Sequence, residues 1–383
     1  MLNTSALYIS RSAYQKNINY IKSIIGETTK LSAVIKGNAY GHGIEVIVPL
    51  AEECGVDHFS VFSAQEARRA LKATTKNSTI LIMGWIDNAE LEWAIMNDIE
   101  FFVFEFDRLK TAIYEAKQCG KKAKIHIEIE TGMNRTGFSE KNIGKLIQIL
   151  QNNKEYYEFS GLCTHYAGAE SISNYARIKS QIKVFNKLRK WLKRNGLIAK
   201  INHTACSAAA ISYPETRMDM VRSGILQYGF WPSPETFIHH ISKQENKEDP
   251  LTRVLAWRSR VMDTKDVKTG EFIGYGTNYI ARDNMKIATV PVGYAMGYSR
   301  SLSHQGRVLI NGQRQDIIGI VNMSLLIVKI TEIPDTQKGD EVVLIGKQGD
   351  SEITVSSFSE FSDQLNYELL TRLPTDIPRI IEF

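Results

Sequence analysis

Cysteine is scarce in this chain and nowhere paired. The four that occur, Cys54, Cys119, Cys163 and Cys206, lie far apart, with no C-x-x-C among them. That spacing offers neither a disulfide framework nor a thiolate metal site, so they read as reduced, small hydrophobes. H-E-x-x-H and Cys/His ligand spacings are missing too, which leaves no sequence case for a metal. No P-loop and no G-x-G-x-x-G after a strand is found, so the common nucleotide cradles are excluded. No apolar run approaches the roughly 20 residues that span a bilayer. The opening MLNTSALYISRSAY lacks an apolar stretch long enough for a secretory signal, and a cytoplasmic location is expected. The net charge of +5 is thin over 383 residues and gathers in no basic run, so neither nucleic acid nor membrane is expected as a partner. Internal repeats and low-complexity segments are absent.

What remains is the composition of a soluble globular protein, 43% hydrophobic and 23% charged, too long for one ordinary compact domain. From residue 13 to about 225, short apolar runs alternate with helical patterns. Eight runs read as strands: 31–36, 58–62, 80–84, 101–104, 124–130, 159–165, 200–203 and 220–222. Interleaved with helices, that number predicts an α/β fold whose N-terminal part is a (β/α)8 TIM-type barrel, with a doubly wound open sheet as the alternative. In a barrel the polar residues at the strand ends, Lys36, Arg135, His165, His203 and Arg222, converge on one face. Near His239 the pattern changes. ISKQENKEDP is polar, ends in proline and reads as a linker. Alternating runs such as VLAWRSRVM, MKIATVPVGY and DEVVLIG follow, with an Asn311-Gly312 hairpin signal between two of them. They predict a C-terminal mostly-β domain, so the expected division is 1–239 barrel and 240–383 β domain.

The stretch Leu31 to Gly43, LSAVIKGNAYGHG, organises the chain. A buried strand runs into Lys36, and a Gly-Asn turn, Tyr40 and two glycines follow it. A lysine at the mouth of such a strand sits where a parallel α/β fold places its chemistry. Partly desolvated, it can lose its proton and attack a carbonyl. The competing reading is a surface lysine at a strand end. Similar pairs of readings attach to other residues. KIHIEIE alternates, with Ile125, Ile127 and Ile129 on one side and His126, Glu128 and Glu130 on the other. Arg135 in the following TGMNR is either a carboxylate-binding fork or a surface cation. His165 is either catalytic or structural, and Arg222 either functional or salt-bridged at a strand end.

VIKGNAYGHG resembles the cofactor-lysine segment of the alanine racemases, which are barrel-plus-β-domain enzymes using pyridoxal phosphate. TGMNR, THYAG, HTACSAAAI, MVRSGILQYG, GYGTNY, TVPVGYAMGYSR and the tail YELLTRLPTDIPR are similar to further segments of that family, in order, from about residue 8 to 380. The resemblance implies that Lys36 carries the cofactor covalently and is one catalytic base. It implies that Tyr275, reaching the partner subunit's lysine site, is the other. Tyr40, Ser207 and the backbone at Gly224 and Ile225 would hold the phosphate. Arg222 would face the pyridine nitrogen, His203 would lie beside the ring, and Arg135 would bind the substrate carboxylate. His165 would bridge the tyrosine and Arg222, Tyr294 would narrow the entrance, and Met323 would border the substrate. A tyrosine's ordinary pKa of about 10 makes it a poor base, so positive charge nearby is part of this scheme. The implied function is racemisation of L- and D-alanine, a small amino-acid substrate, in a homodimer with shared active sites.

The chain departs from the family at several points. The usual Met-Asp pair is Met323-Ser324, an arginine three residues before that methionine is Ile320, and the aspartate of G-Y-A-D-G is Met296. A phosphate-binding tyrosine near the C-terminus of some members is Thr375. Where many members carry a carbamylated lysine, this chain has Glu128, whose carboxylate is expected to orient Arg135 without modification. These changes leave open a homologue acting on serine or another small amino acid, and a cofactor-binding protein deficient in turnover. A non-catalytic cofactor carrier would lack the β domain and Tyr275. A basic-amino-acid decarboxylase would need an acidic substrate-amine site, and no such site is found.

Overall fold

The structure is a computed structural model that describes residues 3–359 and 366–383. Eight strands, Lys30–Val34, His58–Ser63, Thr79–Trp85, Glu100–Val103, Ala123–Glu128, Tyr157–Cys163, Ile201–His203 and Met220–Ser223, follow the eight apolar runs. All pair in parallel, the first seven consecutively in sequence order, and Met220–Ser223 returns to Lys30–Val34. Between the last two strands the Asp219 amide donates to Asn202 O at 3.1 Å and the Arg222 amide to Ala205 O at 3.0 Å. The result is a nearly closed TIM-type barrel. Its alternation is visible in Ala123–Glu128, where Ile125 and Ile127 are fully buried and His126 and Glu128 take the alternate positions.

Helices alternate with these strands, and their ends follow local chemistry. Phe106–Cys119 starts where the Glu105 carboxylate accepts from the amides of Asp107 and Arg108, and stops at Gly120 with φ 63°. Residues 44–252 stay with the barrel, although 240–252 were expected on the other side of the boundary. The reason is polar anchoring. Thr252 exchanges two hydrogen bonds with the buried Asn17, at 2.7 and 2.8 Å, and Trp231 Nε1 donates to Asp249 at 2.9 Å.

The second unit comprises residues 1–11, 38–43 and 253–383. Ser5–Ser10 lies in a sheet between Leu255–Arg260, antiparallel, and Arg379–Glu382, parallel. Glu341–Gln348, Arg307–Ile310 and Gln313–Asp316 extend that sheet. Asp263–Val267, Met285–Val290 and Leu326–Lys329 form a second, three-stranded one. Leu7 and Ile9 of the first strand are fully buried. The opening strand therefore belongs with the β domain and not with the barrel.

Residues 37–40 carry a backbone feature that the turn signal did not specify. Gly37, Asn38, Ala39 and Tyr40 all have φ between 51° and 62°. A left-handed conformation costs about 1–2 kcal/mol for each residue with a Cβ, so this turn must be held by its surroundings. Within the β unit, Arg379 donates to Gly41 O from Nε at 3.2 Å and from Nη2 at 3.0 Å, and His42 Nδ1 lies 3.1 and 3.0 Å from the carbonyls of Ala39 and Tyr40. Gly41 has φ +83°, and a Cβ there would sit 1.9 Å from Leu370 O. Gly41→Ala is therefore expected to lower stability by about 3 kcal/mol or more. Gly26→Ala, at φ +85° with nothing within 4 Å of the added carbon, should cost only about 1 kcal/mol. Thermal unfolding of the two variants checks this, and equal shifts would contradict it.

Candidate active site

Lys36 opens the left-handed turn directly after the first barrel strand. The residue as a whole is exposed at the strand mouth, yet the pKa of its amine lies below the ordinary lysine value. Surrounding protein desolvates it, and Arg135 and Arg222 oppose its charge, while Glu66 acts the other way. Glu66 also fixes the backbone here, accepting from Gly37 N–H at 2.7 Å and from Phe62 N–H at 2.9 Å. An amine so placed spends more time unprotonated than a solvated lysine, as a nucleophile for a carbonyl must.

Arg222 is almost wholly buried, and carbonyls and a ring fix its guanidinium. Nη1 donates to His203 O at 2.8 Å and to His203 Nδ1. Nη2 donates to Thr164 O at 2.9 Å. Beyond the strand end, Ser207 Oγ accepts from Gly224 N–H at 2.9 Å and lies 3.4 Å from Ser223 Oγ. Ser207 and the Gly224–Ile225 backbone, far apart in sequence logic, are thus neighbours. His165 follows the sixth strand, its pKa driven down to about 3 by burial and by the charges of Arg222, Arg135 and Lys36. His203 is fully buried, and its pKa falls well below the ordinary value through that burial, with the charge of Arg222 and the neighbouring His126 and His58 acting the same way.

Arg135 and Glu128 line one small pocket together with Glu130 and His165. Glu128 is buried and its carboxylate is hydrogen-bonded to Thr136, and burial raises its pKa although Arg135 and Arg222 pull the other way. Arg135 is exposed, and no ion pair joins the two. The carboxylate that shapes the TGMNR turn is instead Glu130, which accepts from the amides of Gly132, Asn134 at 2.8 Å and Arg135 at 3.3 Å. A glutamate just before a Gly-Asn-containing loop was the available signal, and the alternation argument passed over it.

In the β unit, Tyr275 is 73% exposed between two glycines of positive φ, Gly274 and Gly276. Asn278 donates to its carbonyl at 3.1 Å. Tyr294 and Met323, both exposed, are brought together: Tyr294 N–H donates to Asn322 O at 3.0 Å and Ala295 N–H to Met323 O at 2.9 Å. The short turn Tyr294–Met296 and the loop bearing Ser324 therefore form one rim, which gathers most of the departures from the family pattern. Tyr40 belongs to the same unit, its ring edge-on to Tyr367 at 6.5 Å. Thr375 is exposed, and its carbonyl accepts from Arg379 at 3.0 Å. Among the described residues no helix is long and apolar enough to cross a membrane.

The buried histidines carry a pH consequence. His42 is held neutral, its pKa lowered to about 4 by burial, against about 6.5 in an unfolded chain. Below pH 6.5 the unfolded chain binds more protons, so stability falls as pH drops towards the folded value. His58, His165 and His203 act in the same direction, and Glu128 in the opposite one. By pH 5, His42 alone should remove about 2 kcal/mol. The thermal midpoint is expected to fall between pH 7 and pH 5, and a flat or rising midpoint would contradict the neutral assignments.

Comparison with known proteins agrees with this arrangement. The family model described as alanine racemase, N-terminal domain, matches residues 9–232, and that of the C-terminal domain matches 254–381. An alanine racemase of Leptospira interrogans is 33% identical over 378 residues, covering 99% of this chain and 96% of the relative. The crystal structure of alanine racemase from Bacillus anthracis with bound L-Ala-P superposes with a TM-score of 0.90 at 31% identity, over 100% of this chain and 96% of that one. The alanine racemase from Bartonella henselae with covalently bound pyridoxal phosphate superposes with a TM-score of 0.84 at 25% identity, over the whole of both chains. With both domain models matched in order across almost the full length, the chain belongs to the alanine racemase family of isomerases.

Proposed function

We propose that this protein is a pyridoxal-phosphate-dependent racemase interconverting L- and D-alanine, with Lys36 and the partner subunit's Tyr275 as opposed bases. The observation that carries the reading is the Lys36 amine, its pKa depressed at the strand mouth beside Arg135 and Arg222. The residues present fit the cofactor. A nucleophilic amine suits an aldehyde, a hydroxyl paired with a backbone amide at Ser207 and Gly224 suits a phosphate, and a fixed guanidinium suits a ring nitrogen.

When bound, pyridoxal phosphate makes the amino acid's Cα proton acidic by drawing the released electrons into its ring. The chain's own groups do the rest. Lys36 would hold the cofactor through its amine and, when that amine is free, would move the Cα proton on the D side. Tyr275 moves it on the L side, its phenol supported by His165 and Arg222. Arg135 binds the substrate carboxylate. Arg222 would hold the pyridine nitrogen with a donor-only guanidinium, which does not give up a full proton. Ser207, Tyr40 and the amides at Gly224 and Ile225 hold the phosphate, and Tyr294 and Met323 border the entrance. A site built from two chains requires a homodimer.

The test is incubation of the purified, cofactor-loaded protein with L-alanine while D-alanine is followed, with L-serine in parallel. Appearance of D-alanine supports the reading. The rim carrying Met296 and Ser324 favours slower alanine turnover or a share for serine, and fast turnover confined to alanine would remove that idea. Racemisation of neither amino acid would overturn the proposed function.

A further inference from the structure

The interior of the barrel holds a line of polar side chains where branched apolar residues are the usual filling. Arg222, His203, His126, Glu100, His58 and Ser32 each expose 9% of their surface or less. Burying such groups is costly unless they are paired, and here the line from Arg222 through His203 and His126 to Glu100 is hydrogen-bonded throughout, while His58 Nε2 has no hydrogen-bond partner. His203 Nε2 lies 2.8 Å from His126 Nδ1, and His126 Nε2 lies 2.8 Å from Glu100 Oε2. His58 Nε2 is 3.5 Å from the same carboxylate oxygen, and His58 Nδ1 is 2.8 Å from Ser32 Oγ. Phe102 walls the line, its ring 6.2 Å from that of His126 and 5.9 Å from that of His203. Gly161 leaves the space that the His126 ring fills, since a Cβ there would lie 2.0 Å from Nδ1.

The protons in this line are fixed by its two ends. A guanidinium has donors only, so His203 Nδ1, facing Arg222 Nη1, must be a bare lone pair. Neutral His203 then carries its proton on Nε2 and donates it to His126. His126 must accept at Nδ1, so its own proton is on Nε2 and points at Glu100. Glu100 closes the line as the acceptor. An imidazolium at His126 would put a second proton between the two rings, force the His203 proton onto Nδ1 and set donor against donor at Arg222.

We propose that Glu100 is a positioning residue that, through His126 and His203, sets the proton pattern which aims the Arg222 guanidinium. Glu100 lies at the start of the fourth barrel strand and touches neither Arg222 nor any group assigned to the reaction. Its influence on catalysis rests on the proposed function, in which Arg222 faces the cofactor ring. The proton pattern itself does not rest on that reading.

The experiment uses the cofactor-loaded protein labelled with 15N at its histidines, whose protonated and bare ring nitrogens have distinct shifts. Replacing His126 and His203 one at a time assigns their signals. Both rings are expected to show a protonated Nε2 and a bare Nδ1. In Glu100→Leu the acceptor is gone, so the His203 pattern should become mixed, the visible band of the bound cofactor should shift, and kcat should fall about 10- to 100-fold with KM for alanine within about twofold. Glu100→Gln keeps a carbonyl oxygen for His126, and it should restore the pattern, the band and most of kcat. A protonated Nδ1 on His203 in the unmutated protein would overturn the proposal, and this readout does not depend on any variant folding. So would a Glu100→Leu protein whose His203 signals and cofactor band are unchanged. Absence of racemisation alongside the expected proton pattern would count against the proposed function and leave the assignment of Glu100 as the terminal acceptor standing.

Discussion

Lys36→Ala is expected to abolish covalent cofactor binding and to reduce racemisation by at least about a thousandfold. The substitution removes two functions at once. One is the amine that anchors the cofactor, whose nucleophilicity rests on desolvation and on the neighbouring charges of Arg135 and Arg222. The other is a general base, and a single general acid–base contribution is worth about 10²–10⁴-fold. The yellow absorbance of the anchored cofactor should disappear with the activity. The fold should survive, because the residue is exposed and the turn it opens is held by Glu66 from one side and by backbone contacts from the other. Lys36→Ala protein that keeps the absorbance, or more than a few percent of the activity, would remove Lys36 from the centre of the site.

Tyr275→Phe should keep the cofactor in place and lose about 10²–10⁴-fold in racemisation. The tyrosine is exposed on a glycine-flanked loop and carries no structural burden visible in its contacts, so its removal tests chemistry and not folding. Direction is the sharper readout. In heavy water under single-turnover conditions, exchange of the Cα hydrogen of L-alanine should suffer more than that of D-alanine, because Lys36 still serves the D side. Equal loss in both directions, or no loss, would contradict opposed bases. Mixing the Lys36→Ala and Tyr275→Phe proteins should recover part of the activity if subunits exchange, since a hybrid dimer contains one site with both bases.

The barrel was legible because its strands are short apolar runs spaced by helical patterns, and all eight runs became strands within a few residues at each end. Lys36, His203 and Arg222 were legible as strand-end residues, Ser207 and Gly224 only through the family resemblance, and the fold brings these five to one end of the barrel. What was not legible has physical reasons. Ser5–Ser10 pairs with strands some 250 and 370 residues further on, and nothing local in SALYIS distinguishes the two domains as partners. The left-handed turn at 37–40 places Ala39 and Tyr40 where their side chains disfavour the backbone, and the contacts that hold it include long-range ones such as those of Arg379, which no local pattern announces. Glu128 was assigned by its place in an alternating strand, and alternation gives a face and not a set of partners: both Thr136 and the charge of Arg135 act on its carboxylate. Glu100 begins an apolar strand, EFFV, and gave no sign that it ends a buried line of histidines.

The most direct test of this account is chemical trapping of the cofactor on the intact protein. Reduction of the loaded protein with borohydride, followed by peptide mapping, should place a single pyridoxyl group on the peptide containing Lys36. Label on any other lysine, or no covalent label, would contradict the assignment of the strand-end lysine as the chemical centre of the protein.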